Sequence, residues 1–184
     1  MRKILFTRQS ECLQPLRQLV EQQNHRTLVL WALDCAVPIL GLFEQQFSND
    51  MRPRQALAAA WDWAQGKIKM PVAKKAIHLA HNAATEAEGV PTAQAAARAV
   101  GHAAATVHVE THALGIVFYG LTAFVYACAK ESDSVVNTAC DWFYQRLLYW
   151  QAASPGLDIT WAPFLLRDDV PNKELLLRKK LETN

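Results

Sequence analysis

Charge of one sign is what this sequence most lacks. Nineteen lysines and arginines stand against 17 aspartates and glutamates over 184 residues, a formal net charge of +2. That balance excludes the broad basic field of a dedicated nucleic-acid binder, so no nucleic-acid partner is expected. Basic residues gather only at Arg178, Lys179 and Lys180, a triplet that reads as a solvated helix end. Cysteine is sparse: Cys12, Cys35, Cys128 and Cys140 lie far apart without CxxC or CxxH spacing. A disulfide scaffold is denser and shorter, which leaves four reduced thiols in a cytoplasmic protein as the expectation. Cys35 and Cys128 lie in apolar stretches, where a thiol packs as a small hydrophobe. No glycine-rich phosphate loop and no GxSxG turn occurs, and no cofactor is expected. Long hydrophobic runs are missing too. Ile4, Leu5 and Phe6 are too few for a secretory signal. The uncharged stretch from Ala113 to Ala129 stops short of the roughly 20 residues a membrane span needs. Gly115, Gly120 and Thr122 interrupt it, so a buried helix is expected and no membrane partner.

What is present is helical periodicity. Leu30, Leu33, Val37, Leu40 and Phe47 follow a three-four rhythm from His25 to Phe47, with Pro38 expected to kink or divide that helix. Three further helices open on proline and continue with alanine. Pro53 precedes Ala56, Ala60 and Ala64; Pro71 precedes Ala76, Ala80 and Ala84; Pro91 precedes Ala95, Ala99 and Ala103. Proline suits a first helical turn, and alanines four apart make a narrow face without bulk. Gly66 and Gly89 are placed to take left-handed caps. Short connections fold such neighbours back on each other, and small faces bring their backbones close. The helix from Thr92 is expected to run past His112 to about residue 129 as the central element, with Gly101, His108, His112, Gly115 and Tyr119 along one strip. A helix over Val135–Trp150, an irregular proline-containing segment over about 152–171, and a last helix capped by Asn172 complete the reading. The expectation is an all-α bundle of six to eight helices in a single domain, 1–184.

His108 and His112, four apart, share a helix face as zinc-binding pairs do, and Asp34 is the available carboxylate. They are the weak metal candidates. The glutamate of the zinc-protease signature is one residue late, at Glu110, and two histidines hydrogen-bonded to carbonyls or hydroxyls are the favoured reading of the spacing. Asp34 near the core needs a cation, and Arg52 or Arg54 beside Pro53 is the expected partner. The same arginines at a helix start also suit an anion. Trp61 and Trp63 cannot share one side of their helix, so at least one is expected to be exposed or to meet a different neighbour.

The order of several segments carries more than any one of them. Trp31-Ala32-Leu33-Asp34-Cys35-Ala36, Arg52-Pro53-Arg54, Ala80-His81, Ala96-Ala97-Arg98-Ala99, Gly101-His102-Ala103, His108-Val109 and His112-Ala113 follow one another over about residues 28–115. In that order they resemble a bacterial family of immunity proteins, the immunity-five-like domain. The chain departs from that family at Val37-Pro38, where charged residues are expected, and beyond Gly115, apart from Trp150-Gln151. The resemblance implies an all-α fold and a protein partner, a toxin domain neutralised by occlusion. It draws attention to Asp34, Arg52, Arg54, His102, His108 and His112 as a structural or functional cluster. The alternative is a metal-dependent enzyme centred on His108, His112 and a carboxylate. The helical faces that would meet a toxin would also serve a homo-oligomer.

Overall fold

The computed structural model describes residues 4–128 and 133–182. Among these residues every regular element is helical: α1 Gln14–Glu21, α2 His25–Glu44, α3 Arg52–Ala64, α4 Met70–Glu86, α5 Pro91–Ala105, α6 Ala113–Ala127, α7 Asp133–Ala153 and α8 Lys173–Glu182. Short 3-10 turns lie at Glu11–Leu13, Glu110–His112, Ser154–Gly156 and Pro163–Leu166.

The small alanine faces do what their spacing predicts. Ala56, Ala60 and Ala64 of α3, Ala73, Ala80 and Ala84 of α4, and Ala99 and Ala103 of α5 have no exposed surface, whereas Ala76 is partly exposed. Helix α5 is the hub and packs on α2, α3, α4 and α6. It borders a larger core with Leu28, Trp31, Ile39, Phe43, Leu121 and Phe143, and a smaller one with Val29, Ala60, Ile77 and Leu165. Trp31 is wholly buried and donates its indole N–H to the Phe143 carbonyl at 3.0 Å, so α2 is tied to α7 without an unsatisfied donor. Each fully buried leucine or phenylalanine contributes about 1.5–3 kcal/mol.

Three expectations need correction. The helix expected over 92–129 is two helices, and residue 129 at its end lies outside the described residues. The break comes with one local and one long-range bond: the Thr106 hydroxyl donates back to the His102 carbonyl (3.0 Å), and the Thr106 carbonyl accepts from the distant His25 Nε2 (2.6 Å). The carbonyl that would extend the helix is thereby taken by a side chain, and Val109 is extended (φ −148°, ψ 131°). Pro38 does not divide α2, which runs unbroken from His25 to Glu44. Its ring lies on the exposed side of the helix. Gly66 takes the left-handed conformation (φ +75°), but Gly89 does not.

Helix α2 is long and apolar enough to cross a bilayer by length and composition, and 61% of that apolar window is buried inside the bundle. A core helix passes the same test. The segment after α7 packs its aromatics on α3. Ala162 N–H donates to the Ala64 carbonyl at 2.8 Å, Trp161 meets Trp61 edge-on, and Phe164 leans on Trp63. Asn172 caps α8 by accepting from Glu174 N–H at 2.8 Å.

Candidate functional site

The helix break decides where the histidines go. His108 falls in the turn before Glu110–His112; it is exposed and stacks on Trp63, with centroids 5.9 Å apart. His112 turns the other way and meets His102, their Nδ1 atoms 3.3 Å apart. The expected common face of His108 and His112 therefore does not form, because the two residues are not on one continuous helix. Asp34 lies elsewhere, on α2 against α7.

What forms instead is a histidine stack between α4, α5 and α6. The His102 ring lies on Tyr119 (5.1 Å, 16° between planes) and meets the edge of His81 (5.5 Å, 75°). Two glycines make the room. A methyl group at Gly101 would come within 2.6–2.9 Å of the His81 ring, and one at Gly115 within 2.4–2.9 Å of His102. Burial pushes the His102 ring down to about 3, and repulsion from His81 and His112 adds to it. Burial likewise holds His81 at about 4, helped by Arg98, and lowers His112, helped by His108 and Arg8. All three are neutral at pH 7, so across the 3.3 Å gap one Nδ1 donates and the other accepts, which requires opposite tautomers. A general base for neutral solution has a pKa near 7; His102 and His81 lie well below it and are held as packing groups. The His81 Nδ1 atom is buried without a hydrogen-bond partner. No spacing in the sequence signals the approach of His81 to Gly101, which comes from the packing of α4 on α5.

Asp34 takes neither expected arginine. Its carboxylate accepts from Arg146 Nε (2.8 Å) and from the Trp150 indole N–H (2.9 Å), both on α7. Arg52 instead bridges Asp50 and Glu86, joining the start of α3 to the end of α4, and Arg54 pairs with Glu44 of α2. The paired guanidinium of Arg52 holds the Asp50 and Glu86 carboxyls below their ordinary range. The expectation failed because α2 presents Asp34 towards α7, whereas Arg52 and Arg54 meet acids close to their own end of α3.

A cleft of about 400 Å³ lies between the α1–α2 turn and the segment leading into α8, lined by His25, His108, Glu110, Phe164, Asp168 and Lys173 among others. Glu110 is buried in its wall; its Oε2 has no hydrogen bond, and the nearest cation is Lys173 Nζ at 3.8 Å. His25 Nδ1 stands 3.9 Å from Glu110 Oε1. Among the described residues, no group of three or more histidine, cysteine, aspartate or glutamate side chains is placed to hold a metal ion.

The wider surface completes the picture. Val37, Val72, Tyr149, Leu166 and Leu176 are among the exposed large apolar residues. Val37 stands where the sequence departs from the expected charged pattern, and it is 62% exposed.

Comparison with known proteins gives one match. No curated protein and no solved structure matches the chain. A family model described as Imm-5 like putative immunity protein matches residues 18–149, more than two thirds of the chain. The match is wider than the resemblance over 28–115 and takes in α6 and most of α7, including Arg146, the partner of Asp34. The poor fit expected beyond Gly115 is thereby corrected. Helices packed through alanine and glycine, an Asp34–Arg146 clamp and a stack of neutral histidines all fall inside the matched span, and the chain belongs to the Imm-5 like putative immunity protein family.

Proposed function

We propose that this protein is an immunity protein that neutralises a toxin domain by binding it and covering the surface the toxin works with. The observation that carries the reading is the family match over residues 18–149. The architecture suits such a role. Close-packed alanine faces and the ion pairs Asp34–Arg146, Arg52–Glu86 and Arg54–Glu44 cross-brace the helices, so little order has to be gained on binding. Occlusion by a preorganised surface requires no reacting group. The metal-enzyme alternative loses its main support once His108 and His112 part company at the helix break.

The test is protection. A toxin-bearing reading frame found beside this gene, expressed alone, should arrest growth, and co-expression of this chain should restore it. The two purified proteins should form a complex of fixed stoichiometry. Growth arrest unrelieved by this chain, with no complex by light scattering, would overturn the reading.

A further inference from the structure

The distribution of unpaired charge points to a place for the partner. Most arginines of the fold are committed to carboxylates: Arg8 to Glu174, Arg17 to Glu21, Arg26 to Asp168, Arg52 to Asp50 and Glu86, Arg54 to Glu44, and Arg146 to Asp34. The lysines of the α3–α4 turn and of α4 are not. No acidic residue occurs between Asp62 and Glu86, a stretch that holds Lys67, Lys69, Lys74 and Lys75. Lys67 lies a loose 3.9 Å from Asp62, and the other three enter no ion pair among the described residues. The near-neutral total hides a local excess, and residues 67–82 display it.

Helical geometry brings these residues to one side. Helix α4 buries Ala73, Ile77, Ala80 and Ala84 against α3 and α5. The opposite arc carries Lys74, Lys75, His78 and Asn82, all exposed. Exposed apolar side chains are interleaved with the lysines: Met70, Val72 (57% exposed) and Leu79. A cationic arc with apolar anchors is the composition of a protein interface whose rim is charged.

We propose that the outward face of α4, with Lys69, Lys74, Lys75, Met70, Val72 and Leu79, docks an acidic surface of a protein partner. This rests on the binding function proposed above and adds to it the chemistry of the toxin's contact surface. Charge complementarity names the occupant: Lys69, Lys74 and Lys75, without acids beside them, attract carboxylates, steer the encounter and reject basic surfaces. A bilayer fits less well, because α4 already spends its continuous apolar stripe on α3 and α5 and has no wide greasy face to insert. Nucleic acid fits less well, because phosphate contacts have no use for Met70, Val72 and Leu79.

The experiment has two arms. In the first, affinity for the toxin domain encoded beside the gene is measured for the wild type, for Lys74→Glu/Lys75→Glu, and for Lys179→Glu/Lys180→Glu as a control of equal charge change. Circular dichroism checks that each variant is folded. The α4 variant should bind about tenfold or more weakly, with a shallower salt dependence, and the control should be nearly unchanged. Equal weakening in both variants, or none in the α4 variant, overturns the face. If the wild type binds no toxin domain, the immunity reading fails, and the second arm decides the face on its own. There, isotope-labelled protein is titrated with a short helical peptide rich in glutamate and leucine. Amide shifts confined to residues 67–82 support the proposal. Shifts elsewhere, no shifts, or tighter binding of duplex DNA or anionic vesicles than of the peptide overturn it.

Discussion

Two glycines of the same composition have opposite roles, and the difference is purely steric. Gly41 lies inside α2 with nothing within 4 Å of the place a Cβ would occupy. Gly41→Ala should therefore stabilise the fold by about 0.5–1 kcal/mol, since alanine loses less backbone entropy in a helix. Gly115 lies against His102, where a Cβ would fall 2.4 Å from the ring nitrogen. Gly115→Ala should cost about 1–3 kcal/mol through overpacking, less the helical gain. Urea midpoints of the two variants check both signs, and a neutral Gly115→Ala would mean that His102 moves freely. The thiols divide in the same way. Cys128 is exposed, contrary to the packed thiol expected from its apolar surroundings, while Cys35 is buried beside Asp34. Burial pushes the Cys35 thiol well above its ordinary value, and burial together with Cys12 pushes Cys140 up to about 12. Iodoacetamide should label Cys128 well before Cys140, with Cys35 last; mass-spectrometric labelling that puts Cys35 first would contradict the packing of α2.

At the scale of elements, α8 is held from one side by a buried acid. Glu174 has no exposed surface and accepts from Arg8 at 2.5 and 3.1 Å, while Asn172 donates to the Val20 and Gln23 carbonyls at 2.9 Å. Removing Glu174 leaves Arg8, whose side chain is 32% exposed, without its carboxylate, at a cost of about 1–3 kcal/mol. Other ties of α8 include the Arg178–Glu21 ion pair and the contacts of Asn172. Glu174→Ala should release α8 while the bundle stays folded. Trypsin should then cut after Arg167 and Lys173 many times faster with unchanged helicity over the rest of the chain. Resistance equal to that of the wild type would show that the contacts of Asn172 suffice.

How much was legible at this scale depends on the range of the interaction. The starts of α3, α4 and α5 were visible because proline acts within one turn, and their buried faces because alanines recur every fourth residue. The break at Thr106 was not, because His25 makes it from 81 residues away. The Asp34–Arg146 pair was missed for the same reason: 112 residues separate its members, and no spacing rule links them. The lysines of α4 look like an ordinary solvated face until most of the arginines are seen to be paired.

For the whole molecule, the neutral histidines make stability depend on pH in a window of its own. In the unfolded chain each titrates near 6.5. The fold holds His102 at about 3 and His81 at about 4, and lowers His112 and His25, each chiefly through burial. Above pH 6.5 both states are neutral and the groups contribute no slope. As pH falls below 6.5 the unfolded chain takes up protons that the folded chain refuses, so stability drops by up to about 1.4 kcal/mol per pH unit per group. The loss continues until each folded-state value is reached. Carboxylates held low by arginine, such as Asp50 and Glu86, add their own loss only below about pH 4.5. Urea midpoints should fall steadily between pH 6.5 and 4.5, and His102→Gln should flatten that slope. A wild-type midpoint constant over that window would mean that the histidines protonate within the native bundle.

The sequence by itself determined the helices, their small faces and the family, because periodicity, proline placement and short motifs act over a few residues. Only the tertiary structure decided that α5 and α6 are separate, that His102 meets His81 and His112 rather than His108 joining His112, and that Asp34 belongs to Arg146. Those outcomes depend on which distant groups arrive within hydrogen-bond reach once the core closes, and burial alone fixes that meeting.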